Sequence, residues 1–341
     1  MVTQRTLFFL ILCTCLISPG EATEAAGFKS IFNGRDLSGW SGNKKFWSVE
    51  DGAITGRTTK ENPTSGNTFL IWTQGEVDDF ELKLQYRIVD GNSGIQYRST
   101  DLGNHVVRGH QADFEAGDTW SGAHYEERGR GTLARRGEKT QVGKDGKATV
   151  VGTLGDTAEL QKAIKQKDWN EYTILASGNR MIHKINGVTM SEIVDDFGKQ
   201  SGILALQLHV GPPMEVQFKD IRLKRLPLAS KKKAVLIAGR DSHSRGTHEH
   251  SAGCTLLAMA LNENMPEMHA VVYRDGWPED PTALDNADTV ILYADGGKRH
   301  PVMPHLEQLD ALNKKGVGVI CIHYGTEIPK GPAGERFLDW I

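Results

Sequence analysis

The chain has 341 residues, enough for two domains with separate cores, and its 40 Lys and Arg against 43 Asp and Glu give a formal charge of -3. That balance excludes a basic, nucleic-acid-binding surface as the organising feature. A polytopic membrane protein is excluded as well, because only residues 6–18 are continuously apolar.

This apolar stretch follows a basic start, Met1 to Arg5, and runs into Pro19-Gly20-Glu21-Ala22. It is too short to span a bilayer, which takes about 20 residues, and its layout is that of a signal peptide cleaved between Ala22 and Ala26. Residues 1–26 are thus expected to be a leader, with the mature protein periplasmic or secreted and without a membrane span. A lipoprotein site at Cys15 fits less well, since Cys13 and Thr14 are not the usual small pair. The mature chain keeps only Cys254 and Cys321, both in apolar surroundings, so disulfides are not expected to hold the fold.

Residues 27–227 read as short strands. Phe80 to Ile88 alternates strictly, which predicts Phe80, Leu82, Leu84, Tyr86 and Ile88 on a buried face. Further strands are predicted over 47–50, 94–98, 105–114, 171–177, 180–185, 202–210 and 215–223, with turns at Ser177-Gly178-Asn179 and Asn186-Gly187. One short helix is expected over 157–166. The pattern predicts an all-β sandwich of the jelly-roll kind with recognition on a concave face or edge. Trp40, Trp47 and Trp169 stand next to turns and are assigned to structure.

The composition changes over a predicted linker, 228–232, which opens into the continuous apolar run Ala234 to Gly239. Such a run suits a parallel strand buried on both faces. Helices at 251–264 and 304–315 alternate with strands at 270–273, 289–293 and 317–323, so residues 233–341 are expected to form a partial α/β unit. With four strands at most before Ile341, that unit reads as the first half of a larger one.

Several polar clusters stand out. Asn92 opens a glycine turn leading to Gln96 and Arg98, which alternation places on one face. Gln111 and Asp113 alternate in the same way, and amide and carboxylate groups on rigid strands suit paired hydrogen bonds to vicinal sugar hydroxyls. His124, Glu126, Arg128 and Arg130 crowd one loop, and Gln207 with His209 lies out of phase with Leu204, Leu206 and Leu208. In the second unit His243, His248 and His250 follow the first strand, while Asp295 and His323 follow later ones, so they should meet in the crevice at the strand ends. Their spacing matches no standard zinc signature; a divalent metal is permitted there, and no cofactor is implied. There is no G-x-G-x-x-G and no P-loop, and His323 stands where an amidotransferase-like nucleophile would be expected.

The stretches Ile31 to Trp40, Trp47 to Gly52, Asp79 to Leu82, Gly91 to Ile95 and Trp169 to Tyr172, with Asn186-Gly187, make residues 28–226 resemble the 3-keto-disaccharide hydrolase family, common in secreted proteins of planctomycete type. The resemblance implies a concanavalin-like jelly roll and a carbohydrate partner. Val235 to Gly239, Ser242-His243, Gly246 to His250 and Gly316 to Thr326 make residues 233–341 similar to the amino-terminal half of the trehalose-utilisation (ThuA-like) family, which has a flavodoxin-like fold. Cleavage of a 3-keto-glycoside is the activity implied. A 3-keto group acidifies the C2 proton, a base removes it, the glycosidic oxygen leaves from C1, and water then adds. On this reading Asp113 or Glu126 is the base, His209 the acid, and Arg98 the support for the enolate. Asn92, Gln96, Gln111, His124 and Gln207 bind the sugar. A lectin-like module without turnover, and a glycosidase working through two carboxyls, fit the same residues.

Overall fold

The computed structural model describes residues 27–341, so the expected leader lies outside the described residues. The first part is a β-sandwich. One sheet has seven strands, in the spatial order Gly131–Ala134, His124–Glu127, Val107–Glu115, Asn92–Asp101, Ile203–Leu208, Thr68–Trp72 and Trp40–Ser41. The facing sheet has ten strands, among which Phe80–Ile88 lies between Asn170–Ser177 and Glu215–Arg225.

Alternation explains the packing. Phe80–Ile88 is buried at every second residue as expected, and its apolar side meets Ile95, Tyr97, Ala112, Phe114, Leu204, Leu206 and Leu208 of the other sheet in one core. Trp40 and Trp47 belong to this core, whereas Trp169 is half-buried with the Lys219 ammonium 4.0 Å above its ring. The expected helix is shorter, Thr157–Gln161, and is capped by Asp156, whose carboxylate accepts from the Ala158 and Glu159 amides.

The second part is a four-stranded, all-parallel sheet in the order Met268–Tyr273, Lys232–Ala238, Thr289–Tyr293, Gly318–Ile322. The continuous apolar run is explained by cover on both faces. Ala234, Leu236 and Ala238 pack on the helix His250–Asn264, while Val235 and Ile237 face the helices Leu306–Asn313 and Pro332–Trp340. Among the described residues, no helix is long and apolar enough to cross a membrane.

The expected linker is shorter than residues 228–232, since Lys232 already pairs with Met268. Lys233 is buried, and its ammonium lies 2.5 Å from Asp78 of the sandwich. Arg225 spans the same junction, 3.3 Å from Asp78 and 2.7 Å from Asp280. Burial pushes the Asp78 carboxyl up, but the two cations more than offset this and hold it at about 2. The two parts are thus docked through paired buried charges.

Candidate functional site on the outer face of the seven-stranded sheet

On the face turned away from the core, the sheet carries amides and carboxyls beside a small apolar cluster of Phe69, Ile71, Val107 and Ala205. Gln96 pairs across the ladder with Gln111, and Gly94 with Asp113. Gly94 is needed, because a Cβ there would lie 2.5 Å from the Gln111 side chain. A hydrogen-bonded chain results: Ser99 donates to Gln96 at 2.8 Å, Gln96 to Gln111 at 2.6 Å, and Gln111 to Asp113 at 3.4 Å. Asn92 donates to the same Asp113 oxygen at 3.1 Å, and Gln111 also reaches Gln207 at 3.4 Å.

Burial dominates the electrostatics of this floor. Asp113 is only 5% exposed, and desolvation pushes its carboxyl up to about 8 against the opposing hydrogen bonds from Asn92 and Gln111. Glu127, buried on the neighbouring strand opposite Gly109, is also raised by desolvation, with Asn67 donating to its oxygens at 3.3 and 3.4 Å. The half-exposed rim consists of Asn92, Tyr125, Asn67 and His209. His209 lies just past the strand end at Leu208, and its charge acts on Glu127. The Val210 amide donates to Asn67 at 3.0 Å, which ties this segment to the same rim. A cleft of about 400 Å³ opens between Asn92, Glu115, His209 and Met214.

The sheet thus brings Asn92, Gln96, Gln111, Asp113 and Gln207 together, with His209 at the margin beside Glu127. Three other expected residues lie elsewhere. His124 pairs with Ala112 and Glu126 with His110, which puts both on the core side of the sheet. His124 is fully buried, stacked 4.5 Å from His183 and bonded to Tyr97 and His110. Glu126 sits at the sandwich end, paired with Arg130, whose other arm holds Asp195 at 2.7 Å. Although burial raises it, the Arg130 guanidinium brings the Glu126 carboxyl below the ordinary range, so it is a poor base.

Arg98 is turned away by a β-bulge. The ladder slips between Tyr97 and Thr100, and Arg98 takes a left-handed φ of 47°. Its side chain is fully buried, donating to the carbonyls of Asp78 and Gly178 and to Asp79 at 2.8 Å. Gly202 lets the next strand approach this bulge, since a Cβ there would meet the Ser99 carbonyl at 2.3 Å. Arg98 therefore braces the sheet and cannot touch a ligand on the outer face. Arg98→Met should lower stability by about 3–5 kcal/mol by leaving Asp79 buried without its cation, and urea unfolding would measure this.

The buried histidines make the fold sensitive to acid. Desolvation pushes His110 to about 4, His183 to about 3, and His124 well below its ordinary value. Depressed folded-state values confer stability that is present above about pH 6.5 and is lost as pH falls towards 4. Each histidine can add a slope of up to about 1.4 kcal/mol per pH unit. The urea midpoint should therefore drop between pH 7 and pH 5; an unchanged midpoint would show that these rings carry protons in the fold.

In the second part, His243, His248 and Asp295 converge at the carboxyl ends of the parallel strands, with one ligand atom from each within 4.8 Å of the others. His250 lies 3.7 Å from Asp295, and the His323 ring is 5.3 Å from that of His248.

A β-sandwich with a carboxyl floor among fixed amides is a scaffold for handling polyhydroxy ligands. The chain belongs to the 3-keto-alpha-glucoside-1,2-lyase-like domain family, whose model matches residues 27–224. Among solved structures it is similar to a provisionally named glycosyl hydrolase of Parabacteroides distasonis ATCC 8503, at 19% identity over 58% of this chain and 99% of that one, with a TM-score of 0.39. It is also similar to the carbohydrate binding module CBM66 of Bacillus subtilis, at 15% identity over 55% and 95% of the two chains and a TM-score of 0.37. A Bacillus subtilis protein of unknown function with a galectin-like fold matches at 9% identity over 55% and 90%, with a TM-score of 0.38. No curated protein matches the chain.

Proposed function

We propose that the sandwich cleaves 3-keto-glycosides by elimination. The observation that carries this reading is Asp113, a carboxyl held among amides on the outer face and poised to exchange a proton near pH 8. A base of that strength is matched to a proton made acidic by a neighbouring ketone. The Asp113 carboxylate takes the C2 proton, the electron pair forms the enolate at the C3 oxygen, and the C1–O bond then breaks. This gives a C1–C2 double bond and the free aglycone alcohol, and water can add to the product. Asn92 and Gln207 supply the donors for the enolate oxygen, a role for which Arg98 is out of reach; the Gln207 amide nitrogen is buried and has no partner of its own. Glu127 and His209 stand on the rim side, where a proton can be delivered to the leaving oxygen.

The second part is proposed to be ThuA-like, a reading supported by its parallel sheet and the residues gathered at its strand ends. Export through the segment before residue 27 belongs to the same reading. The test is the full chain against a 3-keto-glucoside and the corresponding unoxidised glucoside. Release of aglycone from the keto sugar alone is expected. Binding of either sugar without release would favour a lectin-like module, and equal cleavage of both would favour a two-carboxyl glycosidase.

A further inference from the structure

The order in which strands are added reverses between Lys232–Ala238 and Thr289–Tyr293: the chain steps outward from the first of these to Met268–Tyr273, then returns to its other side. In open α/β sheets the loops leaving two such strands part at their carboxyl ends and leave a crevice suited to a ligand. His243, His248 and His250 lie on the loop and helix start after the first strand, and Asp295 lies directly after the second. Ser242 is tied to the cluster as well, 2.8 Å from His243 and 3.2 Å from His248.

His250 decides what the crevice holds. Its Nδ1 is 2.9 Å from the Arg240 carbonyl, which can only accept, so the ring proton sits on Nδ1. The Nε2 lone pair is then directed into the cluster. That nitrogen is fully buried, has no hydrogen-bond partner, and faces an Asp295 carboxylate oxygen at 3.7 Å. A lone pair on a buried ring nitrogen facing a partly exposed carboxylate is unfavourable unless a proton or a metal cation lies between them. A histidine that donates its other N–H to a backbone carbonyl is also the usual arrangement of a metal ligand.

We propose that His243, His248, His250 and Asp295 bind a divalent transition-metal ion of the zinc class. Nitrogen and carboxylate ligands about 2.0–2.2 Å from such an ion lie about 3.4 Å apart in a tetrahedron, so His243, His248 and Asp295, whose ligand atoms lie within 4.8 Å of one another, close by up to about 1.4 Å on binding, and His250, outside that group, swings in further as the fourth ligand. Calcium and magnesium, which prefer oxygen ligands, are excluded by three imidazoles. His243 is exposed and borders a cleft of about 620 Å³ lined also by Arg240, Trp277 and Arg299. The ion therefore stands at the wall of a pocket open to small anionic or oxygen-rich molecules, separate from the sandwich face.

The test uses the full chain, stripped with chelator and titrated with Zn²⁺ by calorimetry, and loaded in parallel with Co²⁺ to read the visible absorption of a four-coordinate site. One ion per chain is expected at this site. His248→Ala and the isosteric Asp295→Asn should each weaken it at least tenfold, while far-ultraviolet circular dichroism and the melting temperature confirm that the variants fold. Asp113→Asn, on the sandwich, should leave the cobalt spectrum unchanged. Absence of Zn²⁺ binding at micromolar concentration, or binding that both second-domain variants retain at full strength, would overturn the assignment.

Discussion

Asp113→Asn should lower turnover of a 3-keto-glucoside by about 10²- to 10⁴-fold, the range for loss of a general base, with little change in the substrate dissociation constant. Asn keeps the shape and accepts from Asn92 but takes no proton. The wild-type rate should rise about tenfold per pH unit up to an inflection near 8, because only the ionised carboxyl acts as the base. Stability should move the other way. The folded-state value of about 8 lies above the ordinary 3.8 of an aspartate, so the contribution of Asp113 is fully present below pH 3.8 and is lost as pH rises to 8. The substitution removes that loss, and Asp113→Asn should be more stable than wild type at pH 9 by on the order of several kcal/mol, with a smaller gap at pH 5. Unfolding at the two pH values together with steady-state kinetics measures both effects. If the variant keeps its turnover, Asp113 is not the base.

Two adjacent glutamates give the second large effect. Glu127→Gln should lower kcat by about 10- to 100-fold, because it removes a desolvated carboxyl that can exchange a proton at the rim. Glu126→Gln should leave kcat within about threefold and act on stability, since its partner is Arg130 on the core side of the sheet. The outcome is read from kcat and the melting temperature of both variants. If Glu126→Gln were the more damaging to turnover, the chemistry would belong at the sandwich end lined by His110, Glu126 and Arg130, not on the outer face.

These assignments show what alternation reveals and where it stops. Within one strand, period two placed Gln111 with Asp113 and separated them from Ala112 and Phe114, as the structure shows. The same parity in His124 to Glu127 sets His124 and Glu126 on one face, Tyr125 and Glu127 on the other. Which face is which depends on the pairing of Gln111 with Tyr125, a contact between strands that no single strand encodes. The strands at 124–127 and 131–134 are not legible in the sequence, because a four-residue segment with one large side chain, Tyr125 or Leu133, carries almost no periodic signal. Arg98 was misplaced for a different reason. A bulge adds one residue to one side of a ladder and reverses the parity beyond it, and its requirement, the close approach of Gly202, lies about a hundred positions away. In the second part, strand and helix types were legible because apolar runs covered on both faces are continuous. The convergence of His250 on Asp295 depends on strand order.

The dipeptide Asp78-Asp79 divides its two carboxylates between unlike tasks: Asp79 grips the bulge of the sheet that carries the site, and Asp78 grips Lys233 and Arg225 at the junction. A cut at residue 227 therefore frees a polar scar and not a sticky one, because the groups uncovered on the sandwich, Asp78 and Arg225, are charged and still face each other at 3.3 Å. The sandwich should survive excision in solution. In the intact chain, however, heat that loosens one half strips counter-ions from the other, so the two halves should melt in a single transition.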